Sequence, residues 1–217
     1  MRLHIANGRL IDPAHGRDGQ QDLFIAHGRV VASGQAPDGF QANRRIDAAG
    51  LAVLPGLVDL SARLLRQDSG VPADPRLSSA ELRAALAGGV TTLAMPPDAD
   101  APLDEPAKVE ALLREAPSGH GRVLPIGALT VGLRGETLAE MGLLAQAGCL
   151  AFSPGECGIA DTRVLWGAMR YAAGLGLALW LRPQDPWLAQ GAVVAAGAYA
   201  DRLGLPGLPP QAEVLAL

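Results

Sequence analysis

Hydrolytic chemistry at neutral pH needs imidazole, thiol, amine or clustered carboxylate groups, and this sequence is short of most of them. It holds four histidines, His4, His15, His27 and His120, and 18 basic residues of which Lys108 alone is a lysine. Its two cysteines, Cys149 and Cys157, form no C-x-x-C pair, which argues against a zinc knuckle or a disulfide framework. Ile5-Ala6-Asn7-Gly8-Arg9-Leu10-Ile11 recurs as Ile25-Ala26-His27-Gly28-Arg29-Val30-Val31. Asn-Gly and His-Gly suit the positive φ angles of a tight hairpin, so each copy reads strand, two-residue turn, strand. On that spacing His4 is a strand residue and His27 a turn residue. His120 falls in Ser118-Gly119-His120-Gly121, a helix-to-strand turn, and is read as structural. Glu156, Cys157 and Asp161 could together make a small site, but carboxylates are mostly exposed and a surface loop is the preferred reading.

The elements that must position these groups change character along the chain. Up to about Gly50 the pattern is that of a small all-β module. From Leu51 apolar strands alternate with amphipathic helices. Strands are expected near Ala52–Leu60, Val90–Met95, Arg122–Thr130, Cys149–Ser153 and Leu177–Leu181. Helices are expected over Ser78–Ala87, Glu105–Glu115 with Pro106 in its first turn, Thr137–Ala147 ending at Gly148, and Thr162–Ala173 ending at Gly174. Short buried strands alternating with helices imply a parallel sheet with crossover helices, hence an α/β fold of barrel or doubly wound type. The nucleotide-binding version of the second is disfavoured. Gly88-Gly89 precede a strand, and Gly132-Leu133-Arg134-Gly135 has neither the Walker lysine nor the G-x-G-x-x-G spacing.

Composition narrows the function classes. The 27 Gly and 17 Pro are about 20% of 217 residues, under the ~25–30% of low-complexity chains, so a packed globular protein is expected. A net charge of −4 gives no basic field for nucleic acid. Met1 to Pro13 alternates apolar and polar residues with no apolar core of a signal, and Val164–Leu181 is interrupted by Arg170 and glycines. Neither a secretory signal nor a membrane span is expected, and the cysteine usage fits a cytoplasmic location. Residues 51–217 hold about five strand-helix units, whereas a closed barrel needs eight and typically ~250 residues. The last residues read as the opening turns of a helix. The expectation is a fragment of a longer protein or an open half-barrel that another chain, a second copy among the candidates, must cover.

Several blocks, in order, carry a resemblance: Asn7-Gly8-Arg9-Leu10-Ile11-Asp12-Pro13, Leu54-Pro55-Gly56-Leu57-Val58-Asp59-Leu60, Gly88-Gly89-Val90-Thr91-Thr92 with Met95-Pro96, and Pro125-Ile126-Gly127-Ala128-Leu129-Thr130. Ala139-Glu140-Met141, Ala147-Gly148, Ala151-Phe152-Ser153 and Gly204-Leu205-Pro206 follow. Over essentially its whole length the sequence resembles the dihydroorotases of the amidohydrolase superfamily. The resemblance implies a metal-dependent (β/α)8 TIM barrel, here truncated after about five strand-helix units and spanning residues 51–217. Residues 1–50 then supply the N-terminal part of a small β-sandwich. It also implies hydrolysis or formation of a cyclic amide by a water that zinc activates.

The same resemblance shows what is missing. The family's H-x-H pair falls on Ser61 and Arg63, its ligating aspartate on Pro154, and a further histidine on Arg182. Serine is a weak zinc ligand, proline has no donor, and a guanidinium is a permanent cation that repels the metal. The substrate-binding arginine falls on Leu65 and the substrate-contacting asparagine on Pro97. Realignment cannot restore the site, since there is no histidine between His27 and His120 or after His120. A metal bridge through a carboxylated lysine would need Lys108, which is expected inside a helix and far from any strand end. No catalytic residue and no metal ligand is therefore assigned, and zinc, the family's cofactor, is not expected here. Asp59, Arg63, Leu65, Pro97 and Arg182 are left as a vestigial pocket.

The reading is a dihydroorotase-like pseudoenzyme. The resemblance to non-catalytic homologues implies a scaffolding or regulatory role beside aspartate transcarbamoylase in pyrimidine biosynthesis. The alternatives are an active cyclic amidohydrolase with site residues beyond Leu217, and a ligand sensor in which Arg63 and Arg182 bind an anion in the vacated pocket.

Overall fold

A computed structural model describes residues 1–63, 75–116, 119, 121–156 and 158–216. Two compact units divide it, Met1–Gly56 and Leu57–Leu217. Leu65, Cys157 and His120 lie outside the described residues.

The first unit is built from seven short strands: β1 (Arg2–Ala6), β2 (Arg9–Asp12), β3 (Arg17–Gln20), β4 (Leu23–Ala26), β5 (Arg29–Ser33), β6 (Arg44–Asp47) and β7 (Ala52–Val53). They form two sheets, ordered β5-β4-β1-β6 and β3-β2-β7. A cleft of about 560 Å³ separates them, with Ile5, Ile25 and Val30 on one side and Leu10 and Val53 on the other. The two copies of the repeat behave differently. His27 and Gly28 both have positive φ, 52° and 73°, and join β4 to β5 as an antiparallel hairpin. At the first copy only Asn7 is positive, at 63°, and the expected hairpin is absent. There β1 pairs with β4 and β6 while β2 pairs with β3 and β7, so Asn7-Gly8 hands the chain from one sheet to the other. The cause is packing. A Cβ on Gly8 would lie 2.6 Å from Val53 Cγ2 and 3.1 Å from Ala48 Cβ, so glycine is needed here for close approach and not for a turn. The Asn7 side chain donates to Asp47 (2.9 Å) and its N–H to Asp22 (3.0 Å), fixing the corner. His4 lies 2.7 Å from the other Asp22 oxygen and stacks on Phe24.

The second unit carries five parallel strands, β8 (Leu57–Asp59), β9 (Val90–Met95), β10 (Arg122–Ala128), β11 (Ala151–Ser153) and β12 (Ala178–Leu179). Their spatial order, β12-β11-β10-β9-β8, is their order along the chain. A doubly wound sheet reverses direction partway; this one does not, and it winds as a barrel. The crossovers contain α1 (Pro75–Ala87), α2 (Pro106–Glu115), α3 (Met141–Ala147) and α4 (Thr162–Leu175). α4 is capped at its start by Asp161, whose carboxylate accepts the Arg163 N–H at 2.8 Å, as the sequence pattern asks; it runs through the expected stop at Gly174 and ends instead at Gly176, which takes the left-handed φ of 66°. The expected strand over Ala52–Leu60 is two strands, β7 in the first unit and β8 in the second, because Pro55 lacks an N–H and Gly56 adds a break. The expected helix from Thr137 starts only at Met141, since Val131 N–H bonds Thr137 O and Leu138 bridges Thr130. Beyond β12 come β13 (Val194–Ala195), α5 (Ala198–Leu203), β14 (Gly207–Leu208) and α6 (Gln211–Val214), with β13 and β14 as a separate two-stranded parallel ladder.

The core of this unit lies between β10–β11 and helices α2, α3 and α4. Val109, Leu129, Met141, Leu144 and Phe152 have no exposed surface. Burying a side chain of this size is worth roughly 1.5–3 kcal/mol. Gly127 is the notch for Phe152: a Cβ there would sit 2.6 Å from the ring.

Candidate functional site

Because the five strands run the same way, their C-terminal ends share one rim, and this is where a barrel places its chemistry. Asp59 ends β8, and its carboxylate accepts the Ser61 N–H at 2.9 Å. Ala62 is buried and donates to Ala94 O at 3.0 Å, so residues 61–63 follow the end of β9 with Ser61 and Arg63 exposed on either side of it. After β9, Pro97 is buried; after β11, Pro154 is buried. Gly155 has φ +67°, and a Cβ on it would stand 2.9 Å from the Pro97 carbonyl oxygen. Its N–H donates to Ser153 Oγ at 3.1 Å. That tight turn presents Glu156, whose Oε1 accepts from Arg63 Nη2 at 2.8 Å. Arg182, beyond β12, is exposed, and among the described residues no hydrogen bond or ion pair engages it.

Zinc can be tested against this donor set. The four positions that the resemblance aligns with metal ligands offer one hydroxyl, two guanidinium groups and a proline ring. One guanidinium already holds the nearby carboxylate. Among the described residues no three His, Cys, Asp or Glu side chains gather closely enough to bind a metal ion. The described residues at these positions do not fit the metal.

Other groups weighed in the sequence have structural partners. Asp161 caps α4 and forms an ion pair with Arg163 at 2.8 Å, so it is committed to that helix. Burial pushes the Cys149 thiol up to about 12, leaving it protonated and inert at neutral pH. Lys108 is not remote from the strand ends as expected. It stands in the first turn of α2, with Nζ 2.6 Å from Asp104 and 2.9 Å from Glu105. The second Asp104 oxygen accepts the Gly132 N–H in the turn after β10, at 2.8 Å. The hydrogen bonds that Lys108 donates to Asp104 and then Glu105 raise its pKa, the reverse of what carboxylation of the amine needs. Glu156 as the partner of Arg63 was not legible beforehand, because 93 residues separate them and no local pattern couples the two.

Five parallel strands in chain order, with crossover helices and the candidate site at their C-terminal rim, define an α/β barrel of the amidohydrolase type. An L-hydantoinase (dihydropyrimidinase) from Arthrobacter aurescens superposes with a TM-score of 0.68 at 20% identity, over 87% of this chain and 42% of that one. A family model described as dihydro-orotase-like matches residues 50–216, and the chain belongs to that family. It is 44% identical over its full length to a dihydroorotase-like protein of Pseudomonas aeruginosa, covering 51% of that protein. It is 37% identical, again over its full length, to a dihydroorotase of Syntrophotalea carbinolica, covering 50%. The chain thus spans about half the length of the curated relatives it matches. Among the described residues no helix is long and apolar enough to cross a membrane.

Proposed function

We propose that the chain is part of a dihydroorotase-like pseudoenzyme. It retains the barrel, lacks the metal centre, and serves in the cytoplasm as a scaffold or regulatory partner of aspartate transcarbamoylase in pyrimidine biosynthesis. The observation that carries this reading is the rim: Arg63, at the position that the resemblance aligns with a metal ligand, has its charge met by Glu156 at 2.8 Å. A barrel maintained without such chemistry has a different task, and assembly is the task that a folded surface can still perform. The higher identity to the dihydroorotase-like protein than to the dihydroorotase supports the same side. The wealth of arginine over lysine suits interfaces, where arginine is enriched and lysine depleted.

The test uses the full-length polypeptide, co-expressed with aspartate transcarbamoylase and run on size-exclusion chromatography at moderate salt. Co-elution, with a rise in transcarbamoylase stability or activity and no dihydroorotase turnover, is the expected result. Two separate peaks with unchanged transcarbamoylase would remove the scaffold role. One tightly held zinc per chain together with turnover of dihydroorotate would remove the pseudoenzyme reading itself.

A further inference from the structure

The Arg63–Glu156 pair has a geometry that an incidental surface contact lacks. It joins the end of β8 to the turn after β11, strands that are not neighbours: β9 and β10 stand between them. At about 4.8 Å per strand, three spacings set β8 and β11 roughly 14 Å apart in a flat sheet. Extended arginine and glutamate side chains only just reach across such a gap, so the pair forms where the backbone beneath each aims its side chain across the rim. Both backbones are held. Ala62 is tied to Ala94 beneath Arg63. Gly155, in its left-handed turn against Pro97, is tied to Ser153 just before Glu156. The side chains stay half open to solvent, 53% for Arg63 and 66% for Glu156. Solvent screening makes such a pair a small contributor to overall stability. What it fixes is local: the mutual position of two loops on opposite sides of the rim.

We infer that Arg63 and Glu156 form a metal-independent clasp across the mouth of the sheet, a side-chain strut that ties the first strand end to the fourth where this family's resemblance would place a cation. The inference deepens the pseudoenzyme reading and rests on one part of it, the absence of a metal; it does not depend on the transcarbamoylase. Arg63 spends a single N–H on Glu156, so the clasp is one charge-assisted bond. Its positive end disfavours a cation at the same place.

Amide hydrogen exchange on the full-length polypeptide, with and without EDTA, reads the clasp directly. Arg63→Ala is expected to speed exchange of the Gly155 amide, and Glu156→Ala that of Ala62, each by about two- to five-fold, the range of an exposed ion pair. The charge-reversed double variant, Arg63→Glu with Glu156→Arg, is expected to return both amides to within about two-fold of the parent rate, which loss of packing alone would not do. A Gly155 amide that exchanges at the parent rate in Arg63→Ala would overturn the clasp and leave the pseudoenzyme reading standing. So would a charge reversal that restores nothing. If EDTA alone speeds both amides in the parent protein, a metal holds the mouth, and both readings fall.

Discussion

In β10 and β11, Ile126, Ala128, Ala151 and Phe152 have no exposed surface; Phe152 packs among residues of α2, α3 and α4, while Ile126 and Ala151 cluster with Ala94 and Trp180. A few residues further on the same sheet reaches its C-terminal rim, where Ser61, Arg63, Glu156 and Arg182 are exposed and a charge pair joins Arg63 to Glu156. The floor is defined by volume and the rim by functional groups. The two are separable because apolar burial needs no particular chemistry above it. A barrel of this family can therefore lose its ligands position by position while its floor remains closed.

The largest test of that separation is in the floor. Phe152→Ala should destabilise the protein by about 3–5 kcal/mol, because the ring is fully buried and its neighbours are pinned. Denaturant unfolding checks this, and a cost below about 1 kcal/mol would mean the floor is not the determinant. Gly127→Ala comes next. A methyl group 2.6 Å from the Phe152 ring forces either to move, at roughly 1–3 kcal/mol, and combining the two variants should cost less than their sum.

Asp104 lies between floor and rim. Burial works against its charge, but the Lys108 hydrogen bond and the Gly132 N–H outweigh it and hold the carboxyl below its ordinary value of 3.8. A carboxyl depressed on folding contributes stability that is fully present above the ordinary value and is lost as pH falls through the lower folded one. Asp104→Asn should therefore be less stable at neutral pH, and should show a shallower loss than the parent on acidification below about pH 4. Parallel curves for the two proteins would remove Asp104 from the account.

The smallest effect is expected at the rim. Ser61→His with Arg63→His should change stability by no more than about 0.5 kcal/mol. It should still fail to hold zinc through dialysis, since Pro154 and Arg182 supply no donors. Stoichiometric zinc in elemental analysis of that variant would show that the remaining losses matter less than argued.

Much of the floor was readable beforehand because it obeys local rules. β9 has the expected ends, and α2 and α4 start within one residue of expectation, at a proline and at a capping aspartate. What escaped has non-local or very short determinants. β13 and β14 are two residues each and leave no period to read. The Asn7-Gly8 corner copies a turn sequence but is decided by the packing of Gly8 against Ala48 and Val53, 40 and 45 residues downstream. At the rim, the ligand positions emptied of metal donors could be named from the resemblance. Lys108 was placed in its helix, but neither its nearness to the turn after β10, through Asp104 and Gly132, nor the Arg63–Glu156 pair was legible, since both depend on how distant loops meet.

Lys108 has a practical consequence. As the only lysine of this chain, it makes amine-reactive reagents almost site-selective, with the N-terminal amine as the other target. Only the neutral amine reacts, and the hydrogen bonds it donates to Asp104 and Glu105 keep it protonated, so acylation at Lys108 should be slow in the folded protein and accelerate when α2 loosens from the turn after β10. Lysine-directed cross-linking will report few of this chain's contacts, and reagents aimed at carboxylates or guanidinium groups are the suitable choice for mapping its neighbours.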